Sequence, residues 1–140
     1  MTTKPVCATP TTWELTFEAR PTTLNAERAS HWSARAQATR EWREAFGWLA
    51  KQQKIPRLTT VTIEVVVESK TRRLADVGAA WPATKAAVDG VVDAGVLDDD
   101  GPSNVLAVTL HAPVHTGRDA LTLRISEADP TTTTRRSTTP

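Results

Sequence analysis

One cysteine (Cys7), one methionine and no tyrosine occur among the 140 residues. A lone cysteine cannot form an internal disulfide, which excludes a disulfide-stapled scaffold and fits a reducing compartment. No apolar run approaches the roughly 20 residues needed to span a bilayer. Met1 to Pro10 has no hydrophobic stretch of the kind that starts a secretory signal. The expectation is a cytoplasmic protein with no membrane partner. No glycine-rich phosphate loop is present, so no nucleotide cofactor is expected. His31, His111 and His115 lack zinc-ligand spacing, and Cys7 has no base near it in sequence, so neither a zinc site nor a cysteine nucleophile is read here.

The formal net charge of +1 hides a strong asymmetry. From Arg20 to Arg73 there are eleven Lys/Arg against five Asp/Glu, whereas Leu74 to Asn104 holds one Lys against six Asp. A basic stretch therefore precedes an acidic one, as expected where cations hold a polyanion and clustered carboxylates hold a metal. Two oppositely charged solvated surfaces give the same sums.

Residues 1–12 and 128–140 are rich in Thr and Pro without apolar periodicity and read as tails flanking one domain over 13–127. Within it, Trp13, Leu15, Phe17 and Ala19 alternate with polar residues as in a strand with one buried face. Between Ser30 and Lys54, Ala38, Trp42, Ala45, Phe46, Leu49 and Ala50 recur at helical spacing, and Pro56 supplies the stop. Gly47 inside this helix marks a kink or a close approach. Thr59 to Ser69 is the clearest strand. A second helix starts near Trp81-Pro82 and ends at Gly95, a residue suited to a left-handed cap. Val105 to Ala112 and Ala120 to Ser126 both alternate and read as a hairpin joined by Pro113 to Asp119. The order β-α-β-α-β-β predicts an α/β (α+β) single domain: a mixed four-stranded sheet covered by two main helices.

Acidic residues gather at Asp76, just after the second strand, and at Asp98, Asp99 and Asp100, just after the second helix. If the two points converge, desolvated carboxylates need a bound cation, and oxygen-only ligands favour Mg²⁺ or Mn²⁺. On a helical wheel Lys85 falls on the stripe of Trp81, Val88 and Val92. Either its stem covers apolar surface, or its charge is fixed beside the acidic cluster to steady a phosphate or a metal-bound nucleophile. Asp89, four residues on, is placed to pair with it.

The segment Arg72 to Asp100 (RRLADVGAAWPATKAAVDGVVDAGVLDDD) resembles the RusA-like family of Holliday-junction resolvases, which are often encoded by phages and prophages. That family shows an arginine-rich strand exit, an Asp-x-Asp-Asn element, a lysine on the next helix, an Asp-Ala/Gly-Leu/Val helix centre and a Leu-Asp-Asp turn. Arg72-Arg73, Asp76, Lys85, Val88-Asp89-Gly90-Val91 and Leu97-Asp98-Asp99 occupy those places in order. Upstream, Pro21-Thr22-Thr23-Leu24-Asn25 followed by His31-Trp32 looks like the family's loop before its first helix. The chain departs from the pattern at Leu74, where the family has its first aspartate, at Val77 in place of the asparagine, and at GAAWP, which lengthens the spacing to Lys85.

The resemblance implies a Mg²⁺-dependent, Mn²⁺-tolerant endodeoxyribonuclease that cuts branched DNA such as the four-way junction as a homodimer. It implies Asp76, Lys85 and Asp99 as catalytic residues, with Asp99 preferred over Asp98 and Asp100. Metal ligands are drawn from Asp76, Asp89, Asp98, Asp99 and Asp100. Arg28, Arg35, Lys70, Arg72 and Arg73 are the implied phosphate contacts. Leu74 motivates a second expectation, a branched-DNA-binding protein of the same fold that has lost cleavage. A third is a partner-binding protein anchored by Trp32, Trp48 and Trp81, since Trp13 and Trp42 fall on core faces.

Overall fold

The computed structural model of the chain describes residues 11–21, 23 and 31–128. These form a single α+β domain with a five-stranded mixed sheet and two helices: β1 (Thr12–Phe17), α1 (Trp32–Gln52), β2 (Val61–Ser69), α2 (Trp81–Asp93), β3 (Val105–Leu110), β4 (Val114–His115) and β5 (Ala120–Glu127). Glu127 N donates to Thr11 O at 3.1 Å, and Ala128 N to Thr60 O at 2.9 Å. Most of the two expected tails falls outside the described residues.

The sheet order is β1-β5-β2-β3, with β4 on β2 as well. Strand β5 runs antiparallel to both neighbours, and β3 and β4 run parallel to β2. The hairpin expected between β3 and β5 is therefore replaced by another arrangement, in which β2 lies between them. Val65 pairs with Leu110 on one side and with Leu123 on the other. The cause is the crossover. A helix between two strands delivers the second one parallel to the first, so β3 joins β2, and the chain continues along the same edge through β4. It then turns about the end of β2, where Thr116 N and Gly117 N donate to Ser69 O at 3.0 and 3.2 Å, and Gly117 takes a φ of 95° that suits glycine. Beyond this turn β5 returns on the far side of β2.

Alternation along the strands sends Leu15, Val61, Ile63, Val65, Leu121, Leu123 and Ile125 to one face, where they join Trp42, Phe46, Ala87 and Val91 in one core. Each such aliphatic side chain contributes about 1.5–3 kcal/mol on burial. Phe17 meets Trp42 edge-on at 4.8 Å between ring centroids, which ties β1 to α1. The other face is polar. Arg124 bridges Glu14 and Glu64, both at 2.9 Å, and Thr16 and Thr122 hydroxyls meet at 2.8 Å. The helices thus belong to one side of the sheet.

Helix α1 begins at His31, whose Nδ1 accepts from Ser33 N at 3.3 Å, so this histidine serves as an N-cap. Helix α2 carries Pro82 in its first turn and ends as expected at Gly95, whose φ of 88° is the left-handed cap. The two helices cross at Gly47 and Gly90. A Cβ on Gly90 would lie 2.1 Å from Arg43 O, and one on Gly47 would lie 3.2 Å from Gly90 O. Gly47 therefore marks a close approach. Beside the crossing, Arg43 grips Asp93 through two bonds of 2.5 and 2.8 Å. This contact holds the Asp93 carboxyl below its usual range, chiefly by hydrogen bonding from the guanidinium.

Candidate functional site

The α2 face that packs inward is built from Ala83, Thr84, Ala86, Ala87, Val88, Gly90 and Val91. Small residues suffice there because α1 approaches so closely, and Lys85 lies outside that face. Its side chain is 47% exposed. Of the stripe drawn through Trp81, Lys85, Val88 and Val92 from helical spacing, Val88 is buried, Val92 partly buried and Trp81 exposed, so it meets the packed face only in part. Alanine and glycine carry the packing here, and hydrophobicity patterns weight them weakly.

Lys85 Nζ instead donates to Asp89 Oδ1 at 2.8 Å and also to Asp100 Oδ2. Asp89 comes from one helical turn further along α2, and Asp100 from the acidic turn before β3. That turn is fixed from several directions. Asn104 N and Val105 N both donate to Gly101 O at 2.9 Å, and Asn104 Nδ2 donates to Thr59 O at 2.8 Å. Hydrogen bonding from Lys85 is the main reason that the Asp100 carboxyl titrates below its usual range, with Asp99 and Asp89 adding further hydrogen bonds. The Lys85 ammonium is raised for the reciprocal reason, Asp100 first and then Asp89. Sequence spacing gave the Lys85–Asp89 pair, and folding adds Asp100, 15 residues from Lys85.

The remaining expected residues are dispersed. Asp98 pairs with Arg57, on the loop before β2. Asp76 lies in the segment between β2 and α2, where its carbonyl accepts from Ala79 N at 3.0 Å, and no hydrogen bond or ion pair joins its carboxylate to Lys85, Asp89 or Asp100. The five expected metal ligands therefore do not assemble into one cage. Among the described residues no group of three His, Cys, Asp or Glu side chains is disposed to hold a metal ion. In donor chemistry the cluster fits a hard divalent cation, since every donor is a carboxylate oxygen. In position, the Lys85 ammonium stands between Asp89 and Asp100, so a cation and Lys85 compete for the same oxygens.

Asp76 belongs to a different feature, a cavity of about 230 Å³ at the exit of β2. Its apolar wall comes from Pro21, Val67, Val77, Ala80 and Pro113, and its cations are Arg20, Lys70 and Arg73. The acids are Glu68, Asp76 and Asp119. Two of these acids are engaged. Glu68 accepts from Arg118 at 2.9 and 3.0 Å, which depresses its pKa, and Asp119 accepts from Lys70 N at 2.8 Å. The sequence reading missed this cavity, which needs Pro113 and Asp119 to fold back beside β2. Of the expected phosphate contacts, Lys70 and Arg73 line it, and Arg72 is exposed on the same loop. Arg35 lies on α1 beside a crevice against Pro82, and Arg28 lies outside the described residues.

Trp32 and Trp48 are exposed, at 67% and 61%, and Trp81 at 40%, whereas Trp42 is buried and Trp13 packs against the core. No helix among the described residues is long and apolar enough to cross a membrane. No protein-family model and no curated protein matches the chain.

Proposed function

We propose that the protein is a divalent-metal-dependent endodeoxyribonuclease that cuts branched DNA as a homodimer. The observation that carries this reading is the seating of Lys85 between Asp89 and Asp100. A cation flanked by carboxylates, with Asp99 adjoining, is the combination that phosphodiester hydrolysis uses. The ammonium neutralises charge that builds on the phosphate, and the acids bind Mg²⁺. Asp89 and Asp100 would hold the ion in exchange for the Lys85 ammonium, which now occupies their oxygens. When bound, the ion supplies an ionised water near neutral pH and stabilises charge on the phosphate. A four-way junction presents two equivalent strands, which a two-fold dimer would match with two sites. Lys70, Arg72 and Arg73 supply phosphate contacts that weaken steeply with salt.

The test is incubation with a synthetic four-way junction in Mg²⁺ or Mn²⁺, with product mapping on a sequencing gel. Paired, symmetric nicks that vanish with a chelator support the proposal. A second reading, a branched-DNA-binding protein without cleavage, is favoured by Leu74 and by the lack of a three-ligand group among the described residues. Salt-sensitive junction binding with no nick in either metal would establish that reading and end the first. If cleavage occurs, Asp76→Asn distinguishes a reacting carboxylate from a bystander in the cavity wall. Loss of cutting with binding kept assigns it to the chemistry.

A further inference from the structure

The cavity at the exit of β2 has a size and a charge balance that select its occupant. At about 230 Å³ it is several times the roughly 30 Å³ share of a liquid water. It falls short of the roughly 300–1,000 Å³ of sites for drug-sized ligands. One ring system fits, and a whole cofactor does not.

The polar groups narrow the choice. Arg20, Lys70 and Arg73 are balanced by Glu68, Asp76 and Asp119, so the lining as a whole carries no excess charge to draw an anion inside. Glu68 and Asp119 are already committed to Arg118 and to the Lys70 amide. The three cations, by contrast, are exposed and form no ion pair with any described residue. A neutral, flat group with donors on its edge suits the interior, where the Ser69 and Thr71 hydroxyls, which donate to Thr71 O and Arg73 O, keep lone pairs that can accept, and Val67 and Ala80 offer apolar wall. An anionic linkage attached to that group suits the cationic rim.

We infer that this cavity receives one unstacked nucleobase of a DNA strand, with its flanking phosphates on Arg20, Lys70 and Arg73. The inference rests on the proposal that the protein acts on DNA, and it adds how a branch point is held. Extruding a base costs least where its pairing or stacking is already weakened, as at a branch point that has opened. A base in the cavity also brings its backbone alongside Asp76, which lines the same wall.

The test uses the full chain and four-way junctions in which 2-aminopurine replaces single bases in turn around the branch point. Stacking quenches this fluorophore, and the described lining contains no aromatic side chain to quench it again. Binding, followed separately by anisotropy of a dye on a distal arm, is expected to raise 2-aminopurine emission several-fold at one position and leave the others unchanged. The double variant Ala75→Leu/Val77→Leu narrows the cavity at two exposed positions and is expected to abolish the rise while anisotropy binding weakens by less than about tenfold. Arg73→Ala is expected to keep the rise at saturation and to lower the salt slope of binding by about one. Binding without any rise in emission, or an undiminished rise in the narrowed variant, overturns the inference and leaves the DNA reading standing. Absence of salt-sensitive binding to any junction overturns both.

Discussion

Along α2, Ala83, Ala86 and Gly90 face α1, where Gly90 leaves no space for another carbon atom, whereas Lys85 stands half in solvent beside Asp89 and finds a second partner in a turn 15 residues away. The first surface is held by shape and the second by charge. Shape is intolerant, because neighbouring backbone cannot retract without moving a helix. Charge is exchangeable, because an ammonium and a metal ion can replace one another around the same carboxylate oxygens. Stability therefore concentrates on one side of α2 and, on the proposed function, chemistry on the other, and substitutions on the two sides should separate the two properties.

The largest effect is expected from Gly90→Ala. Its Cβ would lie 2.1 Å from Arg43 O and 2.9 Å from Gly47 N, both backbone atoms, so α1 must shift. Overpacking of this kind costs about 3 kcal/mol, and a domain of this size should melt more than about 10 °C lower. Unchanged melting would show that the helices can separate freely, and the contrast between the two sides would fail.

On the other side, Lys85→Met should leave the melting point nearly unchanged, since Met is a good helix former and an exposed ion pair contributes only about 0–1 kcal/mol. Junction cleavage should fall by about 10²-fold or more, the usual consequence of removing a group that stabilises transition-state charge. A variant that melts far lower yet cuts at the full rate would reverse the assignment of the two sides.

That contrast also explains what was legible in the chain. Strand β2, the buried positions Trp42 and Phe46, the cap at Gly95 and the Lys85–Asp89 pair all follow from spacing or local stereochemistry, and each lies where expected. The hairpin between β3 and β5 failed because alternation reports which face a residue occupies and is silent on which strand sits beside it. Asp76 was grouped with the acidic turn because sequence shows density of charge along the chain. The fold instead directs Asp76 to the cavity wall and Asp98 to Arg57. The expected stripe meets the buried face of α2 only at Val88, because elsewhere the marker of that face is the absence of side-chain bulk.

A smaller effect should appear in acid. The lowered pKa values of Asp93 and Asp100 mean that their ion pairs contribute fully above the unfolded aspartate value near 3.9 and are lost as pH falls through the lower folded values. Lys85, raised by the same contacts, contributes fully below the unfolded lysine value near 10.4 and loses this as pH rises through the folded value. The contribution of these shifted groups is thus constant between about pH 5 and pH 9. Melting curves taken downward from pH 5 should show a decline that is shallower in Lys85→Met, with a difference below about 1 kcal/mol given the solvent exposure of the pair. A decline already under way at pH 6 would point to groups other than these.

The smallest effect is expected from Gly47→Ala, across the same crossing as Gly90. Here the added carbon meets a single carbonyl oxygen, Gly90 O, at 3.2 Å, and the next nearest atom at 3.8 Å. A shift of a few tenths of an ångström relieves this contact, whereas the corresponding relief at Gly90 would require α1 to move bodily. Replacing glycine by alanine inside a helix returns about 1 kcal/mol of backbone entropy, which offsets the strain. The net change in unfolding free energy should fall within about 1 kcal/mol of zero. Two facing glycines would then differ severalfold in their response to one methyl group, because a Cβ on Gly90 meets three backbone atoms of α1 within 3.0 Å while one on Gly47 meets a single backbone oxygen of α2 at 3.2 Å. Equal destabilisation at both positions would mean that the crossing is uniformly tight, and that the distance to Arg43 O is not what makes Gly90 indispensable.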